Sequence, residues 1–254
     1  MVNIKFKIVV VGSGGTGTYF LKEFSRFLCG NEQAKRMISN MVIFDGDTVE
    51  EKNIQRQAFT SDDIGLHKAA VIAGALNDNF GLEWNAKRIY VTKTSQLEEF
   101  GYTERMAFGD EQIIYREIPL IIGCVDNHAC RLVLEDFFNK NKYCIMLDSA
   151  NEYSTGEVVF SSRVEGKTIS PLRSHWFPDI IKGDLRHVTD MSCEELNNAS
   201  PQHIATNMMA GNILLTEVCA ILNGNFHAGF VSFDTHGFYM EFNEYKELAS
   251  KKGE

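Results

Sequence analysis

The sequence predicts an α/β fold in which a mostly parallel sheet carries helices on both faces and antiparallel strands follow near the C-terminus. Two observations support this class. Short apolar runs alternate with segments in which apolar residues recur every three or four positions, the spacing of one helix face. A glycine-rich turn joins the first apolar run to the first of these segments. Since parallel strands need a crossover connection, and a helix usually forms it, the alternation predicts parallel pairing.

The first half of the chain supplies the parallel strands and the helices between them. The predicted strands are Ile8–Val11, Met41–Phe44, Pro119–Val125 and Tyr143–Leu147. The predicted helices carry Phe20, Leu21, Phe24, Phe27 and Leu28 on one face, or span Lys68–Leu76 and Arg131–Phe138. Residues 81–117 show no clear period, and we expect an irregular excursion over the sheet.

The pattern changes after Asp148. Glu157–Val164 is a further predicted strand, and residues 165–200 carry little periodicity and several turn-forming residues. A long apolar helix is predicted at Pro201–Leu222, followed by an antiparallel pair at Phe230–Asp234 and Gly237–Phe242. The second half therefore contributes an irregular stretch, a closing helix and the antiparallel strands.

Composition limits the possible functions. A chain of 254 residues is long enough for one large α/β domain or two small ones. Its net charge of -9 argues against a general nucleic-acid-binding protein, because no basic excess is present to neutralise phosphates.

Three features predict a cytoplasmic protein that does not enter a membrane. The N-terminal stretch MVNIKFKIVVVG runs directly into a predicted core strand, unlike a signal peptide. No apolar run approaches the roughly 20 residues that cross a bilayer. The six cysteines are scattered, and reduced thiols are the default in such a chain.

Functional residues follow three of the predicted strands. Gly12, Gly14 and Gly17 have the G-x-G-x-x-G spacing, which lets backbone amides and a helix N-terminus approach a phosphate. Asp45 and Asp126 each end an apolar strand. Because ligands of open α/β sheets bind at the carboxyl ends of the strands, the three positions together predict a nucleotide site on a Rossmann-like sheet. Either aspartate alone is equally well explained as a turn or capping residue.

The stretch DGDTVEEKNIQRQAF, residues 45–59, discriminates between nucleotides. Its Asn53, Arg56 and Gln57, with Lys68 shortly after them, suit phosphoryl or nucleotidyl chemistry, which must hold the negative charge of phosphates. A dinucleotide dehydrogenase needs no such set. The alternative for Arg56 and Lys68 is a solvated surface charge.

These motifs resemble the ThiF/MoeB/HesA group, relatives of the ubiquitin-activating enzymes. The resemblance spans almost the whole chain, and its most specific part is the block from D-x-D to R-Q. The matching residues are Gly12, Gly14, Gly15 and Gly17, then Asp45, Asp47, Val49, Asn53, Arg56 and Gln57, then Gly65 and Lys68, and finally Asp126, Asn127 and Arg131.

The resemblance implies a single adenylation domain over residues 1–254, with a nucleotide-binding half at 1–150 and the crossover loop, closing helix and C-terminal strands at 151–254. It implies an ATP-dependent adenylyltransferase acting on the C-terminal carboxylate of a small ubiquitin-like or sulfur-carrier protein ending in Gly-Gly. The implied roles are Mg²⁺ ligation for Asp126, phosphate binding for Arg56 and Lys68, ribose binding for Asp45, triphosphate positioning for Asn53 and Gln57, and nucleotide contact for Asp47, Asn127 and the glycines. A homodimer is also implied; the apolar final helix fits either an interface or the core.

Two points of comparison with the group concern cysteine. No C-x-x-C pair is present, so we predict no zinc. Cys193 lies in the irregular stretch where relatives place a thiol that accepts the acyl group, but a structural cysteine explains it equally well. The other cysteines are expected in the core.

Two other functions remain open. One is a non-catalytic partner subunit that keeps the fold, against which the retained ATP-contacting residue types argue. The other is a nicotinamide-dependent oxidoreductase, in which Arg56, Gln57 and Lys68 would have no task.

Overall fold

A ten-stranded sheet forms the centre of the molecule in a computed structural model that describes residues 2–54, 57–107, 113–182, 185–190 and 202–246. The strands are β1 (Val2–Val11), β2 (Ile38–Phe44), β3 (Asn85–Lys87), β4 (Thr103–Ala107), β5 (Ile113–Gly123), β6 (Cys144–Asn151), β7 (Thr155–Val164), β8 (Lys167–Ser170), β9 (Gly229–Asp234) and β10 (Tyr239–Glu244). The helices are α1 (Gly15–Cys29), α2 (Glu32–Arg36), α3 (Glu51–Ile54), α4 (Lys68–Phe80), α5 (His128–Lys140), α6 (Arg173–Trp176) and α7 (Ile204–Leu222).

The sheet order is β10-β9-β7-β6-β5-β1-β2-β3, with β4 paired to β5 and β8 paired to β7. Strands β3, β2, β1, β5 and β6 are parallel, and β7, β9 and β10 are antiparallel to their neighbours. The predicted fold class is confirmed. Parallel pairing explains the apolar runs: Ile8 to Val11 in the central strand β1 are buried, because helices cover both faces.

Two apolar layers hold the helices against the sheet. One face packs against α1, α4 and α7, and the opposite face packs against α5. Phe20, Phe24 and Leu28 recur on the buried side of α1, as their spacing predicts. Helix α7 crosses α1 closely at Gly211, where a Cβ would lie 3.2 Å from the backbone nitrogen of Phe20.

Helix α7 is long and apolar enough to cross a membrane by length and composition alone, with 19 residues and a mean hydropathy of 1.4. The expectation that no apolar run approaches that length is therefore wrong. Half of the stretch over which this hydropathy is averaged is buried, and Ala210, Leu214 and Val218 belong to the core beside the sheet. A helix in a protein core meets the same criteria of length and composition. The burial of one side of α7 accounts for the apolar residues on that side.

Two regions differ from the expected irregular structure. Within residues 81–117, β3 extends the parallel sheet, and β4 forms an antiparallel pair with the first half of β5. Their short length and exposed side chains removed the apolar signal on which the prediction depended. Within residues 165–200, β8 and α6 are regular. The helix predicted from Pro201 begins at Ile204, with His203 as its N-cap, and Pro201 itself lies outside the described residues.

Candidate functional site

The turn between β1 and α1 is built around its glycines. Gly12 has a φ of +93°, and a side chain there would collide with the carbonyl of Cys124. A Cβ at Gly17 would collide with the carbonyl of Gly12, so both glycines allow close backbone packing. Among the described residues, a Cβ at Gly14 would have a single neighbour within 4 Å, Gln57 Nε2 at 3.7 Å. The residues that the structure describes therefore leave space over Gly14 at the beginning of α1.

Asp45, at the end of β2, holds this turn in place. Its Oδ2 accepts hydrogen bonds from the backbone nitrogen of Ser13 at 2.6 Å and from the Ser13 hydroxyl at 2.8 Å. Its Oδ1 accepts the backbone N–H of Asp47 at 2.8 Å. Burial raises the pKa of Asp45, and the neighbouring carboxylate of Asp47 raises it further, against the opposing charge of Lys68. Asp45 therefore has a structural task in addition to the ribose contact that the resemblance implies.

Asp47, Lys68 and Tyr90 form a charged cluster beside Asp45. Lys68 Nζ lies 2.9 Å from Asp47 Oδ2, and the Tyr90 hydroxyl donates to Asp47 Oδ1. Burial acts to raise the pKa of Asp47, but Lys68 and the Tyr90 hydrogen bond outweigh it, so this pKa lies below its ordinary value. Tyr90 follows β3 and belongs to no motif that the sequence contains.

The three polar residues predicted to bind phosphates after β2 have different outcomes in the structure. Asn53 is buried and its Oδ1 accepts the backbone N–H of Glu50 at 2.8 Å, which makes it a local brace of α3. Gln57 Oε1 is buried without a hydrogen-bond partner in the part of the chain that the structure describes, close to the space over Gly14. Arg56 lies outside the described residues.

Asp126 and Asn127 begin the segment between β5 and α5. Asp126 is exposed and forms no hydrogen bond or ion pair within the described ranges. Asn127 is the N-cap of α5, because its Oδ1 accepts the backbone N–H of Cys130 at 2.8 Å. Arg131, in the same motif, is buried and donates to the carbonyl oxygens of Val125 at 2.5 Å and Ser149 at 3.1 Å.

Sequence reasoning missed a buried ionic cluster behind this segment. Asp148 in β6 lies between Arg131, whose Nε is 3.4 Å from Asp148 Oδ1, and Arg173 of α6, which donates to Asp148 Oδ2. Arg173 also donates to the carbonyl oxygens of Asp148 at 2.8 Å and Glu157 at 3.0 Å. In the sequence, Asp148 directly follows the apolar run Tyr143–Leu147, as Asp126 follows Pro119–Val125, so the same positional signal was available for both.

The cysteines give a mixed result. Burial raises the pKa of Cys124 and Cys130 to about 12, so these thiols are protonated at neutral pH. Cys29, at the end of α1, is exposed, so the expectation of a core position is wrong there. Cys193 lies outside the described residues. Within the ranges that are described, no group of three His, Cys, Asp or Glu side chains could hold a metal ion.

Comparison with known proteins identifies a family whose sequence profile matches this chain, and solved structures with a similar fold. The sequence profile of the ThiF family matches residues 4–252. Ubiquitin-like modifier-activating enzyme 5 of Drosophila melanogaster is 30% identical over 139 residues, 54% of this chain and 31% of that protein. The enzyme 5 of Arabidopsis thaliana is 24% identical over 156 residues, 58% of this chain and 33% of that protein. The matches span about a third of the length of these relatives.

Solved structures share the fold at low identity. Escherichia coli MccB with ATP has a TM-score of 0.63 at 15% identity, covering 94% of this chain and 63% of that chain. MccB in complex with N-formylated MccA has a TM-score of 0.65 at 14% identity, covering 96% and 66%. PaaA has a TM-score of 0.61 at 15% identity, covering 95% and 64%.

Proposed function

The chain belongs to the ThiF family, and from that membership we propose that it is an ATP-dependent adenylyltransferase working as a single adenylation domain. Its substrate in this proposal is the C-terminal carboxylate of a small ubiquitin-like or sulfur-carrier protein that ends in Gly-Gly. One observation carries the proposal most directly: Nε2 of Gln57, a hydrogen-bond donor, lies 3.7 Å from where a Cβ of Gly14 would stand, beside the space over this glycine. A side-chain N–H donor beside a glycine turn and the N-terminus of α1 suits a bound phosphate-bearing ligand, whose oxygens accept hydrogen bonds.

The reaction forms and breaks one bond at phosphorus. An oxygen of the substrate carboxylate attacks the α-phosphorus of ATP, the bond to the bridging oxygen breaks, and pyrophosphate leaves with that electron pair. An acyl-adenylate remains. No general base is needed, because a carboxylate is already ionised at neutral pH. In this proposal Lys68 and Arg56 bind the phosphates and stabilise the charge that develops on them.

The remaining residues of the motif have proposed binding roles. Asp45 binds the ribose while it holds the turn, and Gln57 contacts the phosphates over Gly14. Asn53 and Asn127 support the site through α3 and α5, because their oxygens are already engaged with backbone amides.

Asp126 fits the magnesium ligand of the proposed reaction. Mg²⁺ in nucleotide sites is held by one or two carboxylates together with phosphate oxygens and water. Asp126 is exposed at the carboxyl end of β5 and has no hydrogen bond or ion pair with another described residue, unlike Asp45 and Asp47. Bound there, the metal would offset phosphate charge. We propose no structural zinc.

The two alternative functions make different demands on the site. A nicotinamide-dependent oxidoreductase would give Lys68 and Gln57 no task, and MccB, a structural neighbour, is known with ATP. A non-catalytic partner subunit would not need Lys68 and Asp126 at the same sheet edge. Our proposal for the assembly is a homodimer in the cytoplasm.

Pyrophosphate exchange tests the proposed function. We expect the chain, supplied with Mg²⁺-ATP and a co-encoded small protein ending in Gly-Gly, to exchange labelled pyrophosphate into ATP. The matched control is the same small protein without its last two glycines, which should support no exchange. Calorimetry should show binding of Mg²⁺-ATP and no comparable affinity for NAD(H) or NADP(H). Equal or tighter nicotinamide binding, or no exchange with the intact carrier, would overturn the adenylation proposal.

Transfer to Cys193 is a second, separable step of the proposal. Adenylation needs ATP, metal and carboxylate, so Cys193→Ala should retain pyrophosphate exchange. Transfer needs a thiolate, so the same variant should lose a thiol-sensitive adduct between enzyme and carrier on a non-reducing gel. An adduct that survives in Cys193→Ala identifies another acceptor, and a wild-type enzyme that forms none stops at the adenylate.

A further inference from the structure

Tyr90 contacts the candidate site through both its ring and its hydroxyl. The ring lies against Gly46, where an added Cβ would come within 2.5 Å of Tyr90 Cδ2. The hydroxyl donates to Asp47 Oδ1, and the other oxygen of the same carboxylate lies 2.9 Å from Lys68 Nζ. Tyr90, Asp47 and Lys68 therefore form a chain of contacts that ends at a proposed phosphate-binding lysine.

We propose that Tyr90 is a positioning residue for Lys68, acting through Asp47. This inference rests on the adenylation function proposed above. Tyr90 holds the Asp47 carboxylate in one orientation, and Asp47 holds the Lys68 ammonium toward the glycine turn. Tyr90 itself need not touch the nucleotide.

The unequal exposure of the ion pair explains why it needs this support. The side chain of Lys68 is 7% exposed, but that of Asp47 is 44% exposed. A carboxylate that is partly open to water can rotate away from its partner, and an ion pair with a partly exposed member contributes modestly on its own. The Tyr90 hydrogen bond restrains the exposed member, and a hydrogen bond to a charged acceptor is among the stronger ones.

Gly46 makes the Tyr90 contact possible. Its backbone is not in the left-handed region, so its conformation does not require glycine. The requirement comes from the ring: three atoms of Tyr90 lie within 2.6 Å of where a Cβ would stand. Alanine at position 46 would therefore displace Tyr90 and release Asp47, since Tyr90 supplies the three atoms nearest to the added Cβ outside the neighbouring residues of the chain.

The charges around Tyr90 keep its hydroxyl a donor. Burial raises the pKa of Tyr90, and the hydrogen bond to Asp47 and the negative charges of Asp45 and Asp126 raise it further. The phenol is therefore protonated throughout the neutral pH range. The positive charge of Lys68 acts to lower the pKa of Asp45, whose carboxylate accepts a hydrogen bond from Ser13 of the glycine turn.

For the reaction, this arrangement places Lys68 before the triphosphate arrives. Loss of the restraint should lower the rate of adenylation more than the affinity for ATP, because a correctly oriented charge acts chiefly in the transition state. We expect Tyr90→Phe to lower kcat of pyrophosphate exchange about fivefold and to change KM for ATP less than about twofold. Tyr102→Phe is the matched control: its hydroxyl also donates to a carboxylate, Glu104, but it precedes β4, whose first residue pairs with Glu117 in the middle of β5.

A second readout does not depend on nucleotide. Sparing acetylation with acetic anhydride, followed by peptide mass spectrometry, reports how often each lysine is released. We expect Tyr90→Phe and Gly46→Ala to increase labelling of Lys68 about fivefold relative to exposed Lys22. Lys7 is the internal control for folding, because it is buried in β1 and donates to the carbonyl of Gly101 at 2.8 Å.

A double-mutant comparison of Gly46 and Tyr90 tests whether displacement of the Tyr90 ring causes the increased labelling of Lys68. Gly46→Ala should increase Lys68 labelling when Tyr90 is present and add nothing in a Tyr90→Ala background, since the ring that it would displace is gone. Equal effects in both backgrounds would overturn the proposal. So would unchanged Lys68 labelling in Tyr90→Phe, or a parallel rise at Lys7, which would assign Tyr90 to overall stability.

The two readouts separate this inference from the proposed function. Increased labelling of Lys68 in a protein that never exchanges pyrophosphate would support the positioning chain and reject adenylation. Exchange by the wild type together with unchanged labelling and unchanged kcat in Tyr90→Phe would support adenylation and reject the role of Tyr90.

Discussion

Asp126 and Asp148 stand at the same edge of the sheet and have opposite surroundings. Asp126 follows β5, is exposed, and has neither a hydrogen bond nor an ion pair with another described residue. Asp148 lies opposite Gly123 of β5 in the register, is 1% exposed, and contacts Arg131 and Arg173. One carboxylate is therefore free to meet a cation from solution, and the other already has its cations within the chain.

The difference shows that position at a strand end is not sufficient to make a carboxylate a ligand. Arg131 and Arg173 direct their guanidinium groups at carbonyl oxygens as well as at Asp148, so they tie β6 to the segment after β5 and to β7. Removing one member of a buried ionic cluster leaves the others uncompensated, which costs far more than the loss of an exposed charge. We therefore expect Asp148 to govern stability and Asp126 to govern activity.

The largest expected effect follows from Asp148→Asn. The substitution keeps the size of the side chain and removes the buried carboxylate between two guanidinium groups, of which, among the described residues, only Arg173 keeps another, Glu157 Oε2 at 3.7 Å from its Nη1. We expect the free energy of unfolding to fall by about 3–5 kcal/mol, measured by urea denaturation. Asp136→Asn, at an exposed ion pair with Lys140 on α5, is the control and should change it by less than about 0.5 kcal/mol. A similar small change in both variants would contradict a structural role for Asp148.

The next effect is on activity alone. Asp126→Ala should lower pyrophosphate exchange about 10²-fold or more, by analogy with the loss of one group that stabilises a transition state. Its free energy of unfolding should stay within about 0.5 kcal/mol of wild type, because Asp126 is exposed and unpaired among the described residues. Near-wild-type exchange would show that Asp126 does not belong to the site. It would also contradict the expectation that Asp126 governs activity while Asp148 governs stability.

The sequence predicted the parts of the molecule that depend on pattern and spacing. Apolar runs identified the central strands, because burial on both faces leaves no polar positions in them. The glycine spacing identified the turn, because Gly12 and Gly17 are required by close backbone contacts that recur in such turns. Asp45 was found by the rule that ligands bind at strand ends, although its bonds to Ser13 were not.

The rest depended on contacts between distant parts of the chain. Arg173 lies 25 residues from Asp148, and Tyr90 lies 43 residues from Asp47, at spacings that no local pattern encodes. Strand β4 was missed for a different reason: all of its side chains are exposed, so it has no apolar face to detect. Tertiary pairing with β5 forms this strand, and pairing cannot be read from one strand alone.

Asp45→Asn sharpens the comparison at a third strand end, where the carboxylate is buried but has no arginine. Its pKa is raised by burial and by Asp47, so keeping it ionised at neutral pH costs stability. We expect the variant to be at least as stable as wild type at pH 7, measured by urea denaturation, and to bind Mg²⁺-ATP about tenfold or more weakly by calorimetry. The stability difference should shrink as pH falls toward the unfolded pKa of about 3.9, because the folded carboxyl takes up its proton first.

A clear loss of stability in Asp45→Asn at pH 7 would contradict this account. It would mean that the hydrogen bonds from Ser13 need the full negative charge of Asp45, and that this carboxylate resembles Asp148 rather than Asp126.

The smallest effect concerns His128, which lies between the two regions. Its Nδ1 is 3.4 Å from Arg131 Nη1, and its pKa is lowered by burial and then by the charges of Arg131 and Arg173, against the opposite influence of Asp148. Since the unfolded histidine has a pKa of about 6.5 and takes up its proton first, stability is lost as pH falls below that value. His128→Gln should reduce the fall in Tm between pH 7.5 and 5.5 by about 1 °C, a small effect because the ring is only partly buried. A steeper fall in the variant would show that Asp148, rather than the two arginines, has the larger influence on the pKa of His128. The negative charge of Asp148 would then be only partly neutralised by Arg131 and Arg173, which would make Asp148 more like Asp126.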